Sequence, residues 1–174
     1  MSSWLSKFIS CKRRRLCASL VRTYREISFA SVDELWLKIV DFTDVSCNPL
    51  FKSTNVPLGL VPKPGLIFQA VTCFWPIPIS IFVERVNPKQ MLSIRILAIP
   101  GIEERIIYSI ESTVCGSYLS YSVTLKGWLS PLIWSLSRPY VDRVARSLVE
   151  AVEKAALQAV SGSKKSLDDS CFDF

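Results

Sequence analysis

The stretch Ser117-Tyr118-Leu119-Ser120-Tyr121-Ser122-Val123-Thr124-Leu125-Lys126 decides the fold. Its residues alternate without a break. Leu119, Tyr121, Val123 and Leu125 fall on one side of an extended chain, and Ser120, Ser122, Thr124 and Lys126 on the other. A strand with one dry and one wet face belongs to an antiparallel sheet covered on a single side.

The same rhythm extends upstream. Cys115-Gly116 marks a reversal, and Ile102 to Ser112 alternates, with Ile106, Tyr108 and Ile110 on one face and Arg105, Ile107, Ser109 and Glu111 on the other. Glu103-Glu104-Arg105, beside the turn, reads as surface charge. Pro100-Gly101 reads as a turn, Met91–Ala98 as a strand and Asn87-Pro88-Lys89-Gln90 as another turn. Residues 64–83 carry no charge and by length alone would span a bilayer. Pro76 and Pro78 in that run predict two strands instead, roughly Leu66–Phe74 and Ile79–Val86, joined at Trp75-Pro76-Ile77-Pro78.

Helices bracket these strands. Tyr24 to Ala30 reads as a strand, and Ser31-Val32-Asp33-Glu34 then opens a helix with a capping box. Leu35, Trp36, Ile39 and Val40 follow at helical spacing, and Asn48-Pro49 closes the segment. Near the other end Pro139 fits a first helical turn. Val141, Val144, Ala145, Leu148, Val152, Ala155, Ala156 and Ala159 then recur at helix period. That predicts a helix of about 20 residues ending before Ser161-Gly162-Ser163. The expected class is α+β, one domain over 24–160, with an extension at 1–23 and a polar, unstructured tail at 161–174.

Composition narrows the function. Among 174 residues there is no histidine, which removes Ser-His-Asp and Cys-His catalysis and most zinc sites. Cys11, Cys17, Cys47, Cys73, Cys115 and Cys171 form no C-x-x-C pair, so no metal site is expected, and scattered thiols suit a reducing, cytoplasmic setting. No glycine-rich phosphate loop occurs. Seven of the 21 basic residues precede the first acid, Glu26, leaving 14 against 15 acids in the body. A nucleic-acid partner, which needs a basic folded face, is not expected.

The extension sets Trp4, Leu5, Phe8 and Ile9 on one side of a helix, next to Lys12, Arg13, Arg14 and Arg15. Three readings fit: an interfacial anchor on anionic lipid, a transit peptide or a solvated basic arm. Aromatic residues beside basic ones favour the anchor. Trp75 at the hairpin tip, and Trp128 in the cluster Trp128-Leu129 and Leu132-Ile133-Trp134, are further candidate membrane contacts. The Trp128 cluster also fits a gate or a plain cover over the core.

The SVDELWLKIVDFTD helix, the PGLIFQA strand, RVNPKQMLSIRILA, IYSIESTVCGSYLSYSVTLKG and the helix entered through WLSPLIWSLSRPYVDRVARSLVEAVE together resemble the helix-grip proteins. This is the START-like superfamily of polyketide cyclases/dehydrases and lipid-transfer domains. The resemblance implies a curved antiparallel β-sheet wrapped around a long C-terminal α-helix. It also implies a cavity between them for a lipid, quinone, pigment or polyketide-like ligand. On the inward faces, Ile94, Ile96, Tyr108, Leu119, Tyr121 and Val123 are the candidate ligand contacts. A lining so apolar suits a hydrophobic ligand. Tyr108 and Tyr121 either orient a headgroup or are ordinary core tyrosines. Arg95 faces outward by alternation and reads as solvated.

No catalytic residue and no cofactor is indicated. The expected function is non-catalytic carriage of a hydrophobic molecule with peripheral membrane association. The alternatives are a cyclase/dehydrase using Tyr108 or Tyr121 as a weak acid, and a scaffold subunit with a protein partner in a membrane complex.

Overall fold

The computed structural model describes residues 19–45, 48–73, 76–98, 101–114 and 116–169, with side chains to Leu157. Trp4, Phe8, Lys12, Arg13, Arg14, Arg15 and Trp75, the candidate membrane contacts of the extension and hairpin tip, lie outside the described residues.

Alternating segments become strands because alternation lets one face bury while the other stays wet. The chain runs β1 (Ser19–Ser28), α1 (Val32–Val40), β2 (Phe51–Thr54), β3 (Ile67–Thr72), β4 (Pro78–Asn87), β5 (Met91–Leu97), β6 (Ile102–Thr113), β7 (Gly116–Gly127) and α2 (Ser130–Asp169). The seven strands form one antiparallel sheet in the order β1-β7-β6-β5-β4-β3-β2. The uncharged run at 64–83 contributes β3 and the start of β4. No helix among the described residues is long and apolar enough to cross a membrane.

Register puts the dry faces together. Ile106 lies opposite Val123, Tyr108 opposite Tyr121 and Ile110 opposite Leu119, and all six are buried. In β4 a bulge between Val83 and Arg85 sets Glu84 and Arg85 together against Ser93 of β5. At the β6–β7 turn a Cβ on Gly116 would lie 2.5 Å from the Ser28 carbonyl oxygen, and its φ of 137° suits only glycine, so β1 passes close beside it.

The capping box at α1 forms. Ser31 Oγ accepts from the Glu34 amide at 3.2 Å and Glu34 Oε2 accepts from the Ser31 amide at 2.8 Å. Leu35 and Ile39 are the buried face of this helix.

The final helix departs from expectation. It begins at Ser130, whose hydroxyl donates back to the Gly127 carbonyl at 2.7 Å, so Pro139 sits inside the helix rather than in its first turn. Its backbone stays helical through Ser161-Gly162-Ser163 to Asp169, twice the expected length. The pyrrolidine deprives the Ser135 carbonyl of its helical N–H partner and divides the described part of α2. Beyond it Val141, Val144, Ala145, Leu148, Val149 and Val152 form a buried stripe against the sheet. Before it lie the residues that wall a hollow.

Candidate functional site

Sheet and helix do not close on each other everywhere. A hollow of about 390 Å³ remains under the first part of α2. Ile79, Ile96, Ile102 and Glu104 wall it from the strands, Leu50 and Phe51 from the entry into β2, and Leu129, Leu132, Ile133, Leu136 and Ser137 from the helix side. Leu132 and Leu136 are also 58% and 56% exposed, and Trp128 nearby is 63% exposed, so the rim of the hollow is apolar.

Glu104 corrects the reading of that stretch as surface charge. It shares parity with Ile102, Ile106 and Tyr108, and β6 therefore turns it inward. Burial pushes its carboxyl up to about 7, because the charged form loses its water and gains no cation. The parity was legible in the sequence. The adjacent turn and the charged triplet concealed it.

A smaller recess of about 40 Å³ lies between α1 and the sheet, lined among others by Phe42, Asn48, Phe68, Ile94, Tyr108 and Leu148. Asn48 Nδ2 donates to Tyr108 Oη at 3.5 Å, and the Phe42 and Phe68 rings stack 4.8 Å apart. The Tyr108 and Tyr121 rings lie 5.1 Å apart. Burial first, and then neighbouring negative charge, holds both phenols well above their usual range. Tyr121 Oη is buried with no hydrogen-bond partner.

The candidate ligand contacts are therefore distributed. Ile96 faces the larger hollow, while Ile94 and Tyr108 face the recess. Leu119, Tyr121 and Val123 line neither and are packed in the core.

On the opposite face of the sheet, the β4 bulge delivers Glu84 to two arginines. Its side chain is only 15% exposed. Arg95 Nε donates to Glu84 Oε1 at 2.6 Å, Arg105 Nε lies 2.7 Å from Oε2, and Ser93 Oγ donates to Oε2 at 3.1 Å. Glu103 Oε1 stands 3.5 Å from Arg95 and 3.6 Å from Arg105. Burial opposes the Glu84 charge, but these donors outweigh it and hold the carboxyl below its usual range. Arg95 faces outward as expected, yet as a paired arginine rather than a solvated one.

A curled antiparallel sheet gripping a C-terminal helix is the helix-grip architecture, and the chain has that fold. Its solved neighbours are Bet v 1-like and START-like in type. Protein MLL2253 from Mesorhizobium loti matches with a TM-score of 0.64 and 12% identity, over 78% of this chain and 98% of that one. Norcoclaurine synthase from Thalictrum flavum, in complex with dopamine and hydroxybenzaldehyde, matches with a TM-score of 0.61 and 12% identity, over 83% and 90%. The di-domain ARO/CYC protein StfQ of the steffimycin biosynthetic pathway matches with a TM-score of 0.62 and 10% identity, over 87% of this chain and 59% of that one. No protein-family model and no curated protein sequence matches the chain.

Proposed function

We propose that the protein is a non-catalytic carrier that holds a hydrophobic small molecule or lipid in the 390 Å³ hollow and associates peripherally with membranes. The observation that carries this reading is the hollow itself: almost wholly apolar, of ligand size, and rimmed by exposed Leu132 and Leu136. Burial of a ligand there contributes about 25 cal/mol per Å² of apolar surface. Ligand occupancy in a related fold, as in the dopamine complex of norcoclaurine synthase, supports it. Membrane contact is proposed for Trp128 at the rim, for Trp75, and for Trp4, Phe8 and the basic run Lys12 to Arg15 of the extension. A cytoplasmic location accords with the exposed free thiol of Cys73.

A cyclase-type enzyme is a second reading, and one feature of the site favours it: β6 turns the Glu104 carboxyl into the hollow, where burial raises it to about 7, a range suited to proton transfer. Tyr108 and Tyr121 serve that reading poorly, since both are held firmly protonated.

Native mass spectrometry before and after denaturation tests the carrier. An excess mass that disappears on denaturation is expected. No excess mass, even after incubation with membrane lipids, overturns the carrier and favours a scaffold subunit of a membrane complex.

A further inference from the structure

Among the described residues that line the larger hollow, Glu104 alone carries an ionisable side chain. In register it meets Ile96 of β5 and Leu125 of β7, and α2 covers the hollow with Leu132, Ile133, Leu136 and Ser137. Ser137 and Thr72 are the remaining polar side chains of the wall. Among the described residues, the titratable groups that bear on Glu104 are the hydroxyls of Tyr108 and Tyr121, both neutral through the physiological range. The nearest arginines by sequence, Arg95 and Arg105, are on the other face of the sheet and engaged by Glu84 and Glu103. A carboxylate in apolar surroundings is neutralised either by a proton or by a cation that the ligand brings.

We infer that this hollow selects an apolar molecule bearing a protonated amine, which pairs with the Glu104 carboxylate, and rejects amphiphiles headed by carboxylate or phosphate. The inference rests on the carrier reading and names its ligand class. An ammonium donating to a carboxylate in apolar surroundings makes a charge-assisted bond stronger than its counterpart in water. An anionic head would meet a like charge with no lysine or arginine in the described wall to offset it. With the carboxyl at about 7, the empty hollow is divided between acid and carboxylate at neutral pH. An alkylammonium stays charged to about pH 10, so its binding strengthens as pH rises through 7 and Glu104 loses its proton.

Calorimetric titration of the full-length protein with octylamine, octanol and octanoate, at about pH 5.5 and about pH 8, tests this. At the higher pH octylamine is expected to bind about tenfold or more tightly than octanol, with octanoate weakest, and the margin is expected to shrink about tenfold at the lower pH. Glu104→Gln is expected to erase the margin while keeping octanol affinity. Because the pH series uses the unaltered protein, it decides the matter even if the variant folds poorly. Equal affinity for amine and alcohol at both pH values, or a preference for octanoate, overturns the inference and leaves the carrier reading standing. Binding of none of the three overturns both.

Discussion

Ser28, at the end of β1, donates its hydroxyl hydrogen to Glu153 Oε1 on α2 at 3.2 Å, and the same oxygen accepts from the Phe29 amide at 3.3 Å. One carboxylate thus pins the long helix to the corner where the first strand turns into α1. Ser28 is fully buried, so losing its acceptor leaves a polar group dry. Glu153→Ala is expected to destabilise the protein by about 1–2 kcal/mol, read as a lower urea midpoint, whereas Glu153→Gln, which keeps an acceptor oxygen, loses less. Equal losses in the two variants would show that the contact carries no hydrogen-bond energy.

Glu104 makes stability depend on pH in a fixed direction. Its folded carboxyl titrates at about 7, above the ordinary value of 4.5, so the folded state holds its proton more tightly than the unfolded chain. That stability is complete below about pH 4.5 and is lost as pH rises through 7. Glu104→Gln is accordingly expected to raise stability by about 2 kcal/mol near pH 8 and to change it little near pH 5. Thermal melts of both proteins at the two pH values check this, and a variant equally affected at both would refute it.

The two inward tyrosines are expected to behave differently. Tyr121 Oη has no partner, so Tyr121→Phe should be neutral or stabilising by up to about 1 kcal/mol. Tyr108 accepts from Asn48, and Tyr108→Phe should cost about 0.5–1 kcal/mol. Chemical denaturation distinguishes them, and a large loss at Tyr121 would reveal a bonded hydroxyl.

Glu84 carries the opposite sign from Glu104. Its carboxyl lies below the ordinary range, so its stability is present above about pH 4.5 and is lost as pH falls through the folded value. Glu84→Gln removes the charge that Arg95 and Arg105 share and is expected to cost about 1–3 kcal/mol at neutral pH. A denaturation midpoint unchanged at neutral pH would mean the cluster is surface ornament.

Membrane contact is open to a direct test. Removing residues 1–18 leaves β1 intact and is expected to abolish flotation with anionic liposomes, while Trp128→Ser weakens it. Undiminished flotation of the truncated chain would remove the extension from the proposal.

The long alternating strands were legible because burial of one face imposes a period of two, and β6 and β7 match their expected spans to within a residue. Four-residue β2 leaves no such mark: Phe51–Thr54 is too short for a period to declare itself, and the strand is defined by its pairing with β3. The start of α2 is hidden in the sequence because Pro139 resembles a beginning, whereas Leu132, Ile133 and Leu136 supply apolar contacts that sustain helix before it. Parity identifies which residues point inward, but of the six named from it only Ile96 borders the larger hollow. The hollow itself depends on how far α2 stands from the sheet, a distance that no residue pattern encodes. Glu84 joined its arginines through a bulge, and bulges leave no periodic trace.

Pro139 separates two jobs along one helix. The residues after it, from Val141 to Val152, interlock with the sheet and tolerate little change. Those before it, at 132, 133 and 136, border a space, so a larger or smaller side chain there alters what fits without disturbing the interlock. The shape of that space can thus change through three side chains within little more than one helical turn while the framework stays untouched.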